Sequence, residues 1–380
     1  MRILHISSAR TFGGGERHLI DLSRGLVQRG HEIFVALRPT NEWQERFDFL
    51  PKENFLHVSL RNSFGVLSAQ KIAEFVGENK IEIVHAHLGR DYIPASVACR
   101  IAKNAKFILT RHVLFPMKPF QKFALGNLSK AIAVSNAVEE NLRKIFPKEK
   151  IAMISNGIAV ENWANADYVK LREEFRFMHN IPFDAELIGT IGELKILKGQ
   201  RDFILAAQET AKVFPNAYFA VVGRDNSFKK EFRRELKRLV KVFGLENRFL
   251  FLDWVEETAS LLAALDVFVS ASHSESFGLA ILEAMISGKA IVASETDGAC
   301  ELLQDNFSGK LVPVFEPVKL AEAIGELLMN ENLRLSLGQN AREIAKNKFS
   351  LERMIVKTEK IYRELILDSG NNSSDRITKR

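Results

Sequence analysis

The sequence is poor in the residues that staple small or secreted proteins together. Its 380 residues include two cysteines, Cys99 and Cys300, with no C-x-x-C pair and no His/Cys spacing suited to zinc. A disulfide framework is excluded, and a reducing, cytoplasmic compartment suits such usage. Long apolar runs are missing too. Nowhere do about 18 uninterrupted apolar residues occur, so no spanning helix is expected and any membrane contact would be peripheral. The opening Met1-Arg2-Ile3-Leu4-His5-Ile6-Ser7 is too short an apolar stretch for a signal h-region and reads as a first strand. No G-x-G-x-x-G run occurs, and the second predicted strand ends at Leu37-Arg38 rather than at an acidic residue, which argues against a nicotinamide cofactor. No D-x-D pair is present to hold a divalent cation, and no metal ligand set is assigned.

What is there is ordinary in amount and uneven in placement. A hydrophobic fraction of 46% and a charged fraction of 26% fit a globular chain long enough for two cores. Residues 1–155 carry 23 Lys/Arg against 14 Asp/Glu, whereas the remainder carries 30 against 33. The basic half points to an anionic partner: a phospholipid surface, a phosphorylated acceptor or nucleic acid. Within Lys103–Lys150, ten basic residues face three acids, and Phe115-Pro116-Met117-Lys118-Pro119-Phe120-Gln121-Lys122-Phe123 interleaves aromatics with lysines. That is the composition of an interfacial patch on an anionic leaflet. No nucleic-acid reading motif accompanies it and its aromatics form no stacking platform, so a nucleic-acid partner is not expected.

Short β-branched runs alternate with amphipathic segments along most of the chain. Strands are predicted at Arg2–Ser7, Glu32–Leu37, Phe55–Leu60, Glu82–His87, Phe107–His112, Ala131–Ser135 and Ala152–Ser155. After a polar interruption they resume at Leu187–Ile191, Tyr218–Gly223, Phe249–Asp253, Val267–Ala271, Ala290–Ser294 and Lys310–Pro313. Helices are predicted between them, among them Glu16–Arg29, Gln200–Val213, Phe228–Phe243 and Phe277–Ser287. The alternation implies an α/β chain of two parallel-sheet domains. The domains are placed at 1–165 and 180–348, with a closing helix over 349–368 that could pack back on the first. A polar tail over 369–380 is expected to be disordered. Ligands in such sheets bind beyond the strand C-termini, so chemistry-bearing motifs should follow strands.

The run His273-Ser274-Glu275-Ser276-Phe277-Gly278-Leu279-Ala280-Ile281-Leu282-Glu283-Ala284-Met285 does so. Gly278 allows close backbone approach, and the free N–H groups of the helix that follows suit a phosphate. Glu275 and Glu283, eight residues apart, suit sugar or ribose hydroxyls rather than the phosphate itself. Gly13-Gly14-Gly15 stands between the first strand and its helix in the same manner. His112 ends a strand. His85 and His87 form an H-x-H on another, where they share a face and a metal is conceivable; no carboxylate partner accompanies them, and a structural role is the better reading of that pair.

With these pieces in order, the sequence resembles the retaining family-4 glycosyltransferases of GT-B fold over nearly its whole length. Thr110-Arg111-His112, Ser155-Asn156-Gly157-Ile158, Leu197-Lys198-Gly199-Gln200, Val222-Gly223-Arg224 and Asp297-Gly298-Ala299-Cys300-Glu301 also match. The resemblance implies two Rossmann-like domains facing a cleft, and a UDP- or GDP-linked donor moved without a metal to a glycan or lipid-linked acceptor. It implies that Glu283 binds ribose hydroxyls and Glu275 meets the donor sugar. The backbone of Phe277, Gly278 and Leu279 would lie against sugar and distal phosphate, and Lys198 would neutralise the pyrophosphate. Arg224, Gly14 and Gly15 complete the donor contacts. His112 would orient a sugar hydroxyl or stabilise charge. The nucleotide-sugar is a co-substrate, so no resident cofactor is expected. Glu193 departs from the pattern, standing where a phosphate-binding arginine is usual, with Lys195 or Arg224 as compensating cations. A nucleotide-sugar 2-epimerase and a catalytically degenerate binding protein share the architecture and are the alternatives.

Overall fold

Runs such as Val267-Phe268-Val269-Ser270 and Ala290-Ile291-Val292-Ala293-Ser294 are apolar without alternation, as strands covered on both faces must be. The computed structural model, which describes residues 1–60, 65–255 and 258–377, places them at the centre of a parallel sheet. Contacts divide the chain into two compact units, Met1–Gly157 with the segment from Leu351 onward, and Ile158–Ser350.

The first unit holds β1 (Arg2–Ser7), β2 (Glu32–Leu37), β3 (Phe55–His57), β4 (Ile83–Ala86), β5 (Lys106–Arg111), β6 (Leu128–Ala133) and β7 (Ile151–Met153). They form one sheet in the order β3-β2-β1-β4-β5-β6-β7, parallel throughout. The second holds β8 (Leu187–Ile191), β9 (Tyr218–Val222), β10 (Phe249–Leu252), β11 (Val267–Ser270), β12 (Ala290–Ser294) and β13 (Lys310–Val312). Their order is β10-β9-β8-β11-β12-β13, again parallel. Each sheet therefore reverses its direction of winding once, between β1 and β4 and between β8 and β11. At such switch points the loops leaving neighbouring strands part and leave a crevice.

The predicted strands all appear: four keep their bounds, five are shorter by one or two residues, β3 stops three residues early, and β5, β6 and β7 begin and end earlier than expected. The helix expected over Phe228–Phe243 runs only over Glu231–Val242 and follows a 3-10 turn, Phe228–Lys230. The cause lies in Asp225, whose carboxylate accepts the backbone N–H groups of Ser227 (2.8 Å) and Arg233 (2.7 Å). Such side-chain acceptors compete with helical bonding, and Lys229 and Lys230 take up the left-handed conformation that results.

The continuous part of the first unit ends at Gly157, and the helices Val160–Ala164 and Tyr168–Met178 belong to the second. The last helix, Leu351–Ile377, returns to the first unit. It runs through the stretch expected to be disordered as far as Ile377, because extending an existing helix adds a hydrogen bond per residue fixed. Residues 378–380 lie outside those described. Met354, Ile355, Ile361 and Tyr362 join Leu19, Leu22 and Leu26 of the helix Gly14–Gln28 in one core. Glu359 fixes the register, accepting from His31 (2.9 Å), Arg29 (3.0 Å) and Arg363. Burial alone would raise its carboxyl, but the hydrogen bonds from His31 and Arg363 bring it down to about 2. Among the described residues no helix is long and apolar enough to cross a membrane.

Candidate functional site

In the second unit the predicted donor residues gather at the β8/β11 switch point. The loop after β8 passes so close to the loop after β11 that a Cβ on Gly199 would lie 1.8 Å from the Ala271 carbonyl oxygen. Gly199 also has φ +64, so two separate constraints select glycine there. The His273 amide donates to the Leu197 carbonyl at 2.9 Å, tying the loops together and bringing Lys198 into a short ion pair with Glu275. Both side chains are largely covered, at 24% and 15% exposure, so each charge depends on the other for compensation.

The Glu275–Gly278 turn is braced from behind. The Gly298 amide donates to the Glu275 carbonyl at 3.0 Å, and a Cβ on Gly298 would meet the Phe277 backbone at 2.7 Å. Thr296 caps the helix Asp297–Leu302 that carries this glycine. Phe277 is buried with its ring edge-on to Phe349. Gly278, at φ +96, then opens the helix Leu279–Ile286, whose N-cap residue, being that glycine, supplies no side-chain cap. Its first N–H groups thus form an anion-attracting end. Glu283 lies one turn inside, buried, with one carboxylate oxygen accepting from Thr258 at 3.1 Å.

Glu193 is not left to repel an anion. Its carboxylate accepts from Lys195 at 2.7 Å and from Asn226 at 3.0 Å. Burial pushes its pKa up, and these partners more than offset that, holding the group below the ordinary value. Of the two cations considered, Lys195 is the one paired with Glu193. Arg224 is half-buried after β9, and its carbonyl accepts the Leu194 amide at 2.9 Å. Sequence reasoning missed the His273–Asp202 pair at 2.8 Å, because the partners are remote in sequence and neither sits in a recognisable spacing.

In the first unit the β1 loop leads through Gly13 into the helix Gly14–Gln28, which no side chain of the N-cap residue caps. Glu16 instead turns its carboxyl back to the Gly13 and Glu16 amides; burial keeps its pKa raised despite these bonds and the nearby Arg90 charge. A Cβ on Gly15 would reach within 3.8 Å of the His112 ring, so the glycine loop and the end of β5 meet. His112 does not stand alone. His5 on β1 lies in register with His85 on β4, and His87 extends the same strand, so the three rings share a face. His18 comes from the helix above, three residues after Gly15 and hence on the same helical face. Ring centroids are 4.2 Å apart for His85 and His87, 5.2 Å for His5 and His87, and 4.8 Å for His18 and His112.

Burial dominates this cluster's protonation. It lowers His5 to about 3 and, against an opposing interaction with Asn156, His18 to about 4; it pushes His85, His87 and His112 well below the ordinary value, and neighbouring rings add to the lowering of His5, His85, His87 and His112. His85 is held at both nitrogens, by Tyr362 at 2.5 Å and Thr110 at 2.7 Å. Of the five, the sequence had marked His85, His87 and His112. His5 and His18 follow only from strand register and helix packing.

Residues 172–344 match the family described as Glycosyl transferases group 1, and residues 12–162 match Glycosyltransferase Family 4. The chain is 26% identical over 375 residues to N-acetyl-alpha-D-glucosaminyl L-malate synthase of Bacillus anthracis, covering 92% of this chain and 94% of the relative. It is 25% identical over 354 residues to the lipopolysaccharide core biosynthesis glycosyltransferase LpsE of Rhizobium meliloti, covering 93% and 96%. Among solved structures, a glycosyltransferase from Rickettsia africae superposes with a TM-score of 0.84 at 26% identity, over 96% of this chain and 98% of that one. With both sheets, their switch points and the ordered motifs in agreement, the chain belongs to the family-4 glycosyltransferases of GT-B fold.

Proposed function

We propose that this glycosyltransferase moves a sugar, with retention of anomeric configuration and without a metal ion on the pyrophosphate, from a UDP- or GDP-linked donor. The acceptor is a hydroxyl of a cell-envelope glycan or lipid-linked sugar. The observation that carries the reading is the Lys198–Glu275 pair beside the start of the helix Leu279–Ile286, where the N-cap residue is Gly278. A diphosphate arriving there takes over the Lys198 ammonium and the helix N–H groups, which supply the charge a metal supplies elsewhere. Glu275, released, is free to accept a sugar hydroxyl, and Glu283 to accept ribose hydroxyls. The anomeric C–O(phosphate) bond breaks as the acceptor oxygen bonds on the same face, and a phosphate oxygen takes the acceptor's proton. His112 orients a sugar hydroxyl; its neutral ring suits that role better than that of a charged acid. The name of the lipopolysaccharide core relative supports the envelope acceptor.

The acceptor domain is also read as peripheral to an anionic membrane. Support comes from Phe115, Phe120 and Phe123, exposed at 66%, 42% and 83% beside the exposed Lys118 and Lys122. Phenylalanines held in water this way are costly unless an apolar partner covers them. Flotation with anionic and neutral vesicles at low salt tests this: binding to the anionic vesicles alone is expected, and equal recovery overturns it. The transfer reading is tested by incubating the protein with UDP- and GDP-sugars and following release of the nucleoside diphosphate. Glu283→Ala should abolish release. Release untouched by that change overturns the site assignment.

A further inference from the structure

We propose that His18, His87 and His112 form a binding site for a single divalent transition-metal ion of the zinc class, in the interior of the first unit. One ligand nitrogen from each of these residues lies within 4.8 Å of the other two. Around a tetrahedral ion with metal–nitrogen bonds of about 2.0–2.1 Å, ligand nitrogens sit about 3.4 Å apart, so small side-chain rotations close the site.

The bonding pattern singles out this trio. His5, His85 and His87 are equally close, but His85 already spends both nitrogens on Tyr362 and Thr110, and coordination would break two buried hydrogen bonds. His87 bonds His5 through Nε2 at 3.0 Å, while its Nδ1 is buried without a hydrogen-bond partner. That leaves Nδ1 as the ligand atom and makes His5 the outer residue that fixes its ring, as ligating histidines usually require. His18 is buried beside the Asn156 side chain, but neither of its nitrogens makes a hydrogen bond of good geometry to it or to another group. Unpaired buried nitrogens are costly, and a metal ion satisfies them. The rings are kept neutral, the form that binds metal. Three imidazoles with no thiolate suit Zn²⁺, Co²⁺ or Cu²⁺ rather than Mg²⁺ or Ca²⁺. His112 is half-buried, so an ion can enter on that side and keep a water as fourth ligand. The neighbouring Arg111 charge opposes the cation and moderates the affinity.

The site shares His112 with the proposed transfer reaction, so its test measures metal alone. The full chain, without a histidine tag, is stripped with chelator and dialysed against Zn²⁺, and bound metal is counted per chain. Co²⁺ then reports geometry through its absorption spectrum. One ion per chain and a tetrahedral Co²⁺ spectrum are expected. His18→Gln and His87→Gln should weaken Zn²⁺ binding by at least about 100-fold, and His5→Gln by about 10–100-fold. His57→Gln, at an exposed position, should change nothing. Circular dichroism confirms that each variant folds. Should a buried variant fail to fold, the wild-type Co²⁺ spectrum still decides. An octahedral spectrum, no stoichiometric ion, or equal binding by folded His18→Gln and His87→Gln overturns the proposal.

Discussion

Lys198 and Glu275 satisfy each other until a ligand arrives, and this makes their mutants asymmetric. Removing the lysine leaves a largely covered carboxylate beside the proposed diphosphate position, so the loss of attraction should be compounded by repulsion. Lys198→Ala should therefore lower kcat/KM by about 10²–10³-fold, the usual cost of losing one electrostatic stabiliser. Lys198→Arg should recover only part of it, because a planar guanidinium does not replace a mobile point charge. Steady-state kinetics at several donor concentrations measures both. The histidine cluster makes a second demand at this scale. A histidine whose folded pKa lies below its unfolded value of about 6.5 binds fewer protons folded than unfolded between the two values. Its stability contribution is complete above pH 6.5 and is lost as pH falls toward about 4 for His18 and about 3 for His5. Each such ring adds a slope of about 1.4 kcal/mol per pH unit. Urea midpoints measured from pH 7 down to pH 5 should fall steeply, and the fall should become shallower in His5→Gln.

Loops and helix starts, rather than strands, hold the site in shape. Gly199 is constrained both by its left-handed backbone and by the Ala271 carbonyl against it. Gly199→Ala must shift a loop that carries Lys198 and should cost about 2–4 kcal/mol, combining overpacking with an unfavourable φ. The urea midpoint reads the stability, and donor binding should weaken in parallel. Such elements were unequally legible in the sequence. The strands were, because continuous apolar runs between amphipathic segments have few other uses. The Glu275–Glu283 segment was, because a strand, a glycine and a helix start occur there in a fixed order. The bracing of that segment by Gly298 was not, since only the folded chain brings residues 275 and 298 together. Nor was the broken start of the helix near Phe228, where one aspartate overrides a continuous amphipathic pattern. His5 and His18 escaped notice for the same reason as the bracing by Gly298. Their partners lie on other elements, and register decides who meets whom.

At the scale of the whole molecule the chain leaves the first unit at Gly157, completes the second, and comes back at Leu351. The closing helix was visible in the sequence from its spacing, but where it docks depends on packing that spacing does not encode. Gly25 shows how closely it docks, because a Cβ there would lie 2.1 Å from Ile355. The helix also brings Glu359 to Arg29 and His31, and Tyr362 to His85. Met354, Ile355, Ile361 and Tyr362 are each at least nine-tenths buried. At about 1.5–3 kcal/mol for each fully buried apolar side chain, the four account for about 6–12 kcal/mol. A domain's entire stability is about 5–15 kcal/mol, so the first unit cannot lose this helix and remain folded. The second unit has its own core around Phe203, Phe219 and Val269, to which no residue of this helix belongs. A chain ending at Ser350 should accordingly show one calorimetric transition in place of two, with the remaining one assigned by hydrogen exchange to residues 158–350. Protection surviving in β1 and β4 of the truncated chain would mean that the seven-stranded sheet stands without its returning helix.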